Sequence, residues 1–391
     1  MSGQSNPKGM IVRQFQLPDQ DDRSVFLWGP RKTGKSSWIK THLPQAKVID
    51  LLQTDVYFEY VRRPALLRER YQPSPLVVID EVQKVPALLD EVHWLIENRG
   101  ARFLLTGSSP RKLLRGQANL LGGRAWRREM RPLCLRELLD HKPALDLEDL
   151  MVRGTLPPHF LARRPLEDLA SYVGDYLKEE IAAEGLTRNL PAFSDFLRVA
   201  ALSNGELINY ENIARECAVS ARSARSYYQI LSDTLLGAAL PPWRASQRRM
   251  IQTDKFYLFE VGVTNFLSRR TPRIGTPEFG RSFEQLVWAE LLAFRSYRRR
   301  DLELFYWRTS TGMEVDFVLV DRVAAIEVKA SSRVHETDLK GLTALADDAP
   351  VGRRLLVCLE REPRQLSDRH GQVLVLPWGH FVDRLWADAL W

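Results

Sequence analysis

The sequence predicts an α/β protein: a parallel sheet with helices on both faces, then a helical middle, then a second α/β region. Three observations predict this. A short apolar run, Ser24–Trp28 (SVFLW), leads straight into a glycine-containing loop and a helical stretch that starts near Lys35. A second apolar run, Leu76–Ile79, ends in Asp80–Glu81. Towards the C-terminal end, the strand-like runs Glu314–Val320 and Val323–Val328 are separated only by Asp321–Arg322.

The loop reads Gly29-Pro30-Arg31-Lys32-Thr33-Gly34-Lys35-Ser36-Ser37. It is the GxxxxGK[ST] pattern in its required setting of strand, loop and helix. Glycine lets the backbone N–H groups turn inward around phosphate oxygens, and the helix N-terminus adds partial positive charge. Lys35 reaches the β- and γ-phosphates of ATP, and the Ser36 hydroxyl binds Mg²⁺. A buried strand ending in carboxylates puts them at the ligand edge of a parallel sheet. Asp80 then holds Mg²⁺ through its water shell, and Glu81 polarises the attacking water. A third run, Arg102–Leu105, ends in Thr106-Gly107-Ser108-Ser109, where a hydroxyl of Thr106 or Ser108 contacts the γ-phosphate or the water. Lys47–Leu51 supplies a further strand.

The succession GPRKTGKSS, VVIDEVQKVP, LLTGSS and LLGGRAWRREMRPLCLREL resembles the AAA+-type ATPases of a large prokaryotic family. Members of that family pair this core with a C-terminal domain of unknown function. The resemblance implies ATP hydrolysis in a homo-oligomer, a ring or partial ring. It also makes Arg124 a candidate arginine finger acting on the neighbouring subunit. The plainer reading of Arg124 is a surface arginine within the basic run Arg124–Arg131.

In the middle, Leu166–Ile181 has helical periodicity and resembles the lid that follows such cores. Tyr210–Cys217 and Ala221–Leu231 read as two helices joined by a short turn, with Ser220 as an N-cap. This is helix-turn-helix spacing, with Arg222 and Arg225 near the start of the second helix, where a recognition helix meets DNA. The stretch up to Phe259 completes a wing. The plainer reading is a helical pair that packs on other subunits.

Phe283–Phe294 is an amphipathic helix carrying Glu284 and Glu290. A tight turn centred on Asp321–Arg322 sets Asp316 opposite Glu327 and Glu314 opposite Lys329. Facing carboxylates repel, and a bound divalent cation removes that penalty. Glu284, Asp316 and Glu327-Val328-Lys329 together resemble the PD-(D/E)xK nuclease superfamily. The resemblance implies Asp316 and Glu327 as ligands of Mg²⁺ or Mn²⁺. It implies Lys329 as the residue that orients or activates water, and Glu284 as an aid to the metal. The fold also serves in binding roles without cleavage.

Composition agrees with a globular, polyanion-compatible protein. Of 391 residues, 45% are hydrophobic, and 56 Lys and Arg outweigh 49 Asp and Glu for a formal charge of +7. Further basic clusters are Arg248–Arg249 and Arg298–Arg300. Cys134, Cys217 and Cys358 lie far apart with no zinc spacing, which fits reduced thiols in a cytoplasmic, soluble protein. No run approaches a membrane span. The expected domains are an AAA+-type P-loop ATPase core over 1–140, a helical lid over 141–190, a winged-helix-like part over 191–268 and a PD-(D/E)xK nuclease-like part over 269–391. The expected function is ATP-driven processing of DNA, with a candidate Mg²⁺-dependent nuclease site. The alternative is a nucleotide-controlled switch whose C-terminal domain binds DNA or protein without cutting.

Overall fold

The computed structural model describes residues 11–17, 23–111, 113, 121–176, 189–243, 251–298, 302–320 and 324–390. The chain divides into two compact units. One holds Phe15–Pro132 with Ile230–Leu236, and the other holds the chain up to Gln14, Leu133–Gln229 and Gly237–Trp391.

In the first unit the elements are β1 (Ser24–Trp28), α1 (Lys35–His42), β2 (Lys47–Asp50), α2 (Thr54–Arg62), α3 (Leu66–Glu69), β3 (Val77–Asp80), α4 (Leu88–Arg99), β4 (Phe103–Gly107) and β5 (Ala125–Glu129). The sheet order is β2-β3-β4-β1-β5, and every pair is parallel. All residues of β1, β3 and β4 are buried, as expected for parallel strands covered by helices on both faces. Trp28 pairs with Gly107 and Ile79 with Leu105, so β1, β3 and β4 end level with one another. The loop after β1, the carboxylates after β3 and the hydroxyls after β4 therefore meet at one sheet edge.

The basic run read as surface charge contains the edge strand β5. It is only half-buried, so it lacks the apolar pattern of the inner strands. Its anchor is Trp126, with the guanidiniums of Arg23 and Arg128 5.7 and 5.1 Å from the ring centroid. The cluster Arg248–Arg249, residues Arg299 and Arg300, and the last part of the Leu166–Ile181 helix lie outside the described residues.

The second unit begins with α5 (Leu135–His141), α6 (Leu147–Arg153), α7 (Pro157–Phe160) and α8 (Pro165–Ser171). Then come α9 (Leu190–Leu202), α10 (Tyr210–Glu216) and α11 (Ala221–Asp233), of which residues to Gln229 belong here, and an antiparallel pair, β6 (Gly237–Leu240) and β7 (Lys255–Leu258). The Ser220 hydroxyl accepts from Ser223 N at 3.1 Å, the N-cap the sequence predicts. Phe256 of β7 packs edge-on against Tyr228 of α11, ring centroids 4.7 Å apart.

The rest of the unit is α12 (Val261–Ser268), α13 (Pro277–Arg298), β8 (Leu304–Arg308), β9 (Glu314–Leu319), β10 (Ala324–Val328), α14 (Lys340–Asp348), β11 (Arg353–Cys358), β12 (Arg364–Asp368), β13 (Gly371–Pro377) and α15 (Trp378–Trp386). Its sheet runs β12-β13-β11-β10-β9-β8, parallel at β10–β11 and β11–β13 and antiparallel elsewhere. Leu342 and Leu345 of α14 bury against Val318, Ala325, Leu356 and Val375 of the sheet. Each such fully buried aliphatic side chain is worth roughly 1.5–3 kcal/mol. The β9–β10 pairing has Leu319 opposite Ala324, Val318 opposite Ala325 and Phe317 opposite Ile326. That is the register expected for a turn centred on Asp321–Arg322; the turn itself lies outside the described residues. Among the described residues, no helix is long and apolar enough to cross a membrane.

Candidate active sites

At the edge of the first sheet, a cleft of about 340 Å³ is lined by Arg31, Lys32, Gly34, Lys35, Ser36 and Ser37, with Leu52 and Glu81 at its sides. Gly34 adopts φ 95°, ψ 15°, a left-handed conformation that favours glycine, and α1 starts at the next residue. The Thr33 hydroxyl ties the loop to Pro30 O at 2.8 Å. Lys35 is buried, and its ammonium donates to the carbonyls of Gly29 at 2.5 Å and Pro30 at 3.1 Å. The Ser36 hydroxyl donates to Asp80 Oδ2 at 3.0 Å, and the Thr106 hydroxyl donates to Asp80 Oδ1. A hydroxyl and a carboxylate facing each other at a phosphate loop are hard oxygen donors of the kind Mg²⁺ takes.

Glu81 has φ 60° and ψ 43°, left-handed for a residue with a Cβ, a strain of about 1–2 kcal/mol that clusters at functional sites. Burial pushes its carboxyl up from the ordinary range, partly countered by Lys35. Gln83 Nε2 donates to Glu81 Oε2 and lies 3.3 Å from the Ser108 hydroxyl. Gln83 thus links the acidic strand end to the hydroxyl loop, a contact the sequence reading did not contain. Arg124 is half-buried and ion-paired with Glu97 of α4.

In the second unit, Glu284 of α13, Glu314 and Asp316 of β9, Glu327 of β10 and the following Lys329 form one cluster. Asp316 Oδ2 accepts from Val328 N at 2.8 Å. Lys329 Nζ lies 2.6 Å from Glu327 Oε1, whereas the buried Glu327 Oε2 has no hydrogen-bond partner among the described residues. Burial, with the neighbouring carboxylates, pushes Asp316 well above the usual range. Burial pushes Glu327 up to about 7 against the pull of Lys329.

The sequence reading missed the centre of this cluster, Lys255 of β7. Its ammonium is 2.5 Å from Glu314 Oε1, 3.2 Å from Glu284 Oε1 and 4.0 Å from Asp316 Oδ1. Burial alone would lower its pKa, but Glu284, Tyr257, Asp316 and Glu314 outweigh that and hold it well above the ordinary value. The Tyr257 hydroxyl donates to the same Glu284 oxygen. The missed signal was alternation: in KFYL, Lys255 and Tyr257 share one face of β7, while Phe256 turns to the helices. Among the described residues, no three His, Cys, Asp or Glu side chains converge as a metal-ligand set. Lys255 stands between Glu284, Glu314 and Asp316. The donors that fit a cation are Asp316 and the unpartnered oxygen of Glu327.

On α11, Arg222, Arg225, Ser226 and Gln229 are exposed along one face, and Arg225 stacks over Tyr210 at 4.6 Å.

Residues 21–139 match the family model of the AAA domain. This part of the chain has an AAA-type, P-loop ATPase-like fold. Residues 144–273 and 279–381 match two domains of unknown function, DUF8612 and DUF4143. The uncharacterized protein Rv2008c of Mycobacterium tuberculosis is 28% identical over 320 residues, covering 79% of this chain and 70% of that protein; the uncharacterized protein Mb2031c of Mycobacterium bovis matches equally. Among solved structures, the Walker-type ATPase paby2304 of Pyrococcus abyssi is similar at 15% identity and TM-score 0.41, over 62% of this chain and 90% of that one. The ORC1 protein of Aeropyrum pernix, solved in complex with DNA, is similar at 16% identity and TM-score 0.23, over 63% of this chain and 86% of that one.

Proposed function

We propose that this chain hydrolyses ATP to drive the binding and processing of DNA, and that the carboxylate cluster of the second unit is a Mg²⁺-dependent nuclease site. The observation that carries the nuclease reading is the meeting of Asp316, Glu327 and Lys329 with Glu284, on a helix–three-strand–helix–strand succession. The domain boundaries expected from the sequence are part of this reading.

For ATP, the loop Gly29–Ser37 wraps the phosphates and Lys35 turns from its loop carbonyls to the β- and γ-oxygens. Ser36 and Asp80 are the residues that would hold Mg²⁺. Glu81 accepts a proton from the attacking water, its raised pKa bringing it nearer the working pH. The Thr106 and Ser108 hydroxyls align the γ-phosphate. Arg124 acts on the neighbouring subunit of a homo-oligomer.

At the second site, Asp316 and Glu327 would hold Mg²⁺ or Mn²⁺. The buried, unpartnered Glu327 oxygen supports this, because such an atom is costly without a partner. Lys329 orients the attacking water and Glu284 braces the cluster. A bound divalent ion, at either site, supplies charge to the phosphate oxygens as they gain negative charge. The exposed Arg222 and Arg225 of α11 meet DNA phosphates, with β6 and β7 as the wing.

One observation favours a second reading. Lys255 already pairs with Glu284 and Glu314, and Lys329 pairs with Glu327, so most of the cluster's charge is balanced without a metal. That suits a nucleotide-controlled switch whose second unit binds without cutting. Incubation of pure protein with linear, circular, single-stranded and branched DNA, with Mg²⁺ or Mn²⁺ and with or without ATP, separates the two. The nuclease reading expects cleavage that Asp316→Asn and Lys329→Ala each remove while ATP hydrolysis survives. A folded, ATP-active protein that binds DNA and leaves every form uncut decides for the switch.

A further inference from the structure

The cluster contains a cation of its own, delivered by an element outside the nuclease motif. We propose that Lys255 occupies a second cation position, so that the cluster takes one divalent ion, at Asp316 and Glu327, rather than two. This rests on the metal reading above and assigns its stoichiometry.

The geometry divides the cluster in half. On one side the Lys255 ammonium contacts Glu314 Oε1 at 2.5 Å and Glu284 Oε1 at 3.2 Å. Arg308 holds the other Glu314 oxygen at 3.0 Å, and the Tyr257 hydroxyl doubles the donation to Glu284 Oε1. On the other side, among the described residues, stand Glu327 Oε2, buried with no hydrogen-bond partner, and Asp316 Oδ1, which Lys255 approaches at 4.0 Å. A second ion would need the oxygens that Lys255 and Arg308 hold.

Lys255 is also fixed in place. Its strand pairs with β6, and Phe256 on the opposite face is locked against Tyr228. Its side chain is 4% exposed and its ammonium lies 5.6 Å from the centre of the Tyr306 ring, which holds it among its carboxylate partners. Charge points the same way. The four carboxylates Glu284, Glu314, Asp316 and Glu327 face three cations, Lys255, Lys329 and Arg308, which leaves a single net negative charge, so a second divalent ion would only add to an excess of positive charge.

The test is Mn²⁺ binding to the full chain without nucleotide, by calorimetry and by electron paramagnetic resonance, with Asp316→Asn protein as the baseline. Wild type is expected to bind one more Mn²⁺ than the baseline, with an isolated-ion spectrum. Lys255→Met is expected to bind two more, with a spin-coupled pair, and to take the first ion roughly tenfold or more tightly, because a nearby unit charge is removed. Lys255→Arg, which keeps the charge, is expected to stay at one. If Lys255→Met does not fold, two ions in the wild type or in Lys255→Arg still overturn the inference. Two ions in the wild type overturn this inference and leave the metal reading standing. One ion in Lys255→Met at unchanged affinity does the same. No ion above the baseline in any variant removes the metal reading and this inference with it.

Discussion

Replacing Gly341 by alanine sets two effects of known size against each other. Gly341 is the second residue of α14, and in a helix alanine is preferred over glycine by at most about 1 kcal/mol. A Cβ at this position would overlap the backbone carbonyl oxygen of Glu314 and lie 3.4 Å from Glu327 Oε2. A backbone carbonyl cannot rotate aside as a side chain can, so either the helix or β9 must shift. Overpacking of this kind costs about 1–3 kcal/mol, and it outweighs the propensity gain. We expect Gly341→Ala to destabilise the protein by about 1–2 kcal/mol and to weaken Mn²⁺ binding while ATP hydrolysis persists. Gly280, within α13, is the control, because among the described residues nothing lies within 4 Å of its added Cβ. Gly280→Ala is expected to stabilise by about 0.5–1 kcal/mol. The assay is urea denaturation followed by tryptophan fluorescence, comparing midpoints at constant slope. A Gly341→Ala protein as stable as Gly280→Ala would refute the close approach of α14 to the carboxylate strands.

Other expectations follow from the same contacts. Lys35→Ala should lose tight ATP binding, whereas Glu81→Gln should bind ATP and turn it over roughly 10²-fold more slowly or worse; unchanged phosphate release in Glu81→Gln ends its assignment as base. Mixing Arg124→Ala with Glu81→Gln protein should restore part of the ATPase rate, and no recovery in mixtures proven to co-assemble rules out action across subunits. If α11 meets DNA, replacing Arg222 and Arg225 by alanine should flatten the plot of log K against log salt by up to about two units, read by titration at several salt concentrations. Glu327 is pushed up from 4.5 to about 7, so the folded state holds a proton that the unfolded chain has lost. Its contribution to stability is full below about pH 4.5 and is lost as pH rises through about 7. Asp316 beside it is pushed up in the same direction, so metal-free melting temperatures should show this fall and Glu327→Gln should flatten part of it.

The nucleotide site was legible in the sequence because its parts are local. A strand, a glycine-containing loop and a helix start are contiguous between Ser24 and His42, and Asp80–Glu81 is marked by the apolar strand it ends. The β9–β10 register was legible for the same reason, since the short separation of the two runs in the sequence fixes one pairing, the one seen at Leu319–Ala324, Val318–Ala325 and Phe317–Ile326. Strand β5 was hidden, because an edge strand needs only one covered face and its arginines carry no apolar alternation. Gln83 was hidden because its partners, Glu81 and Ser108, meet only once β3 and β4 lie side by side.

What the sequence alone determined is the set of chemical groups, namely a phosphate loop, an acidic strand end and a pair of facing carboxylates. What only the tertiary structure decided is how the charge of the second site is balanced. From the hairpin, Asp316 and Glu327 called for an external cation. In the folded chain, Lys255 arrives from a strand some sixty residues earlier and stands 4.0 Å from Asp316. Electrostatics acts through space and not along the chain, so a lysine that reads as one basic residue among 56 becomes the central charge of a site only when β7 is folded against it.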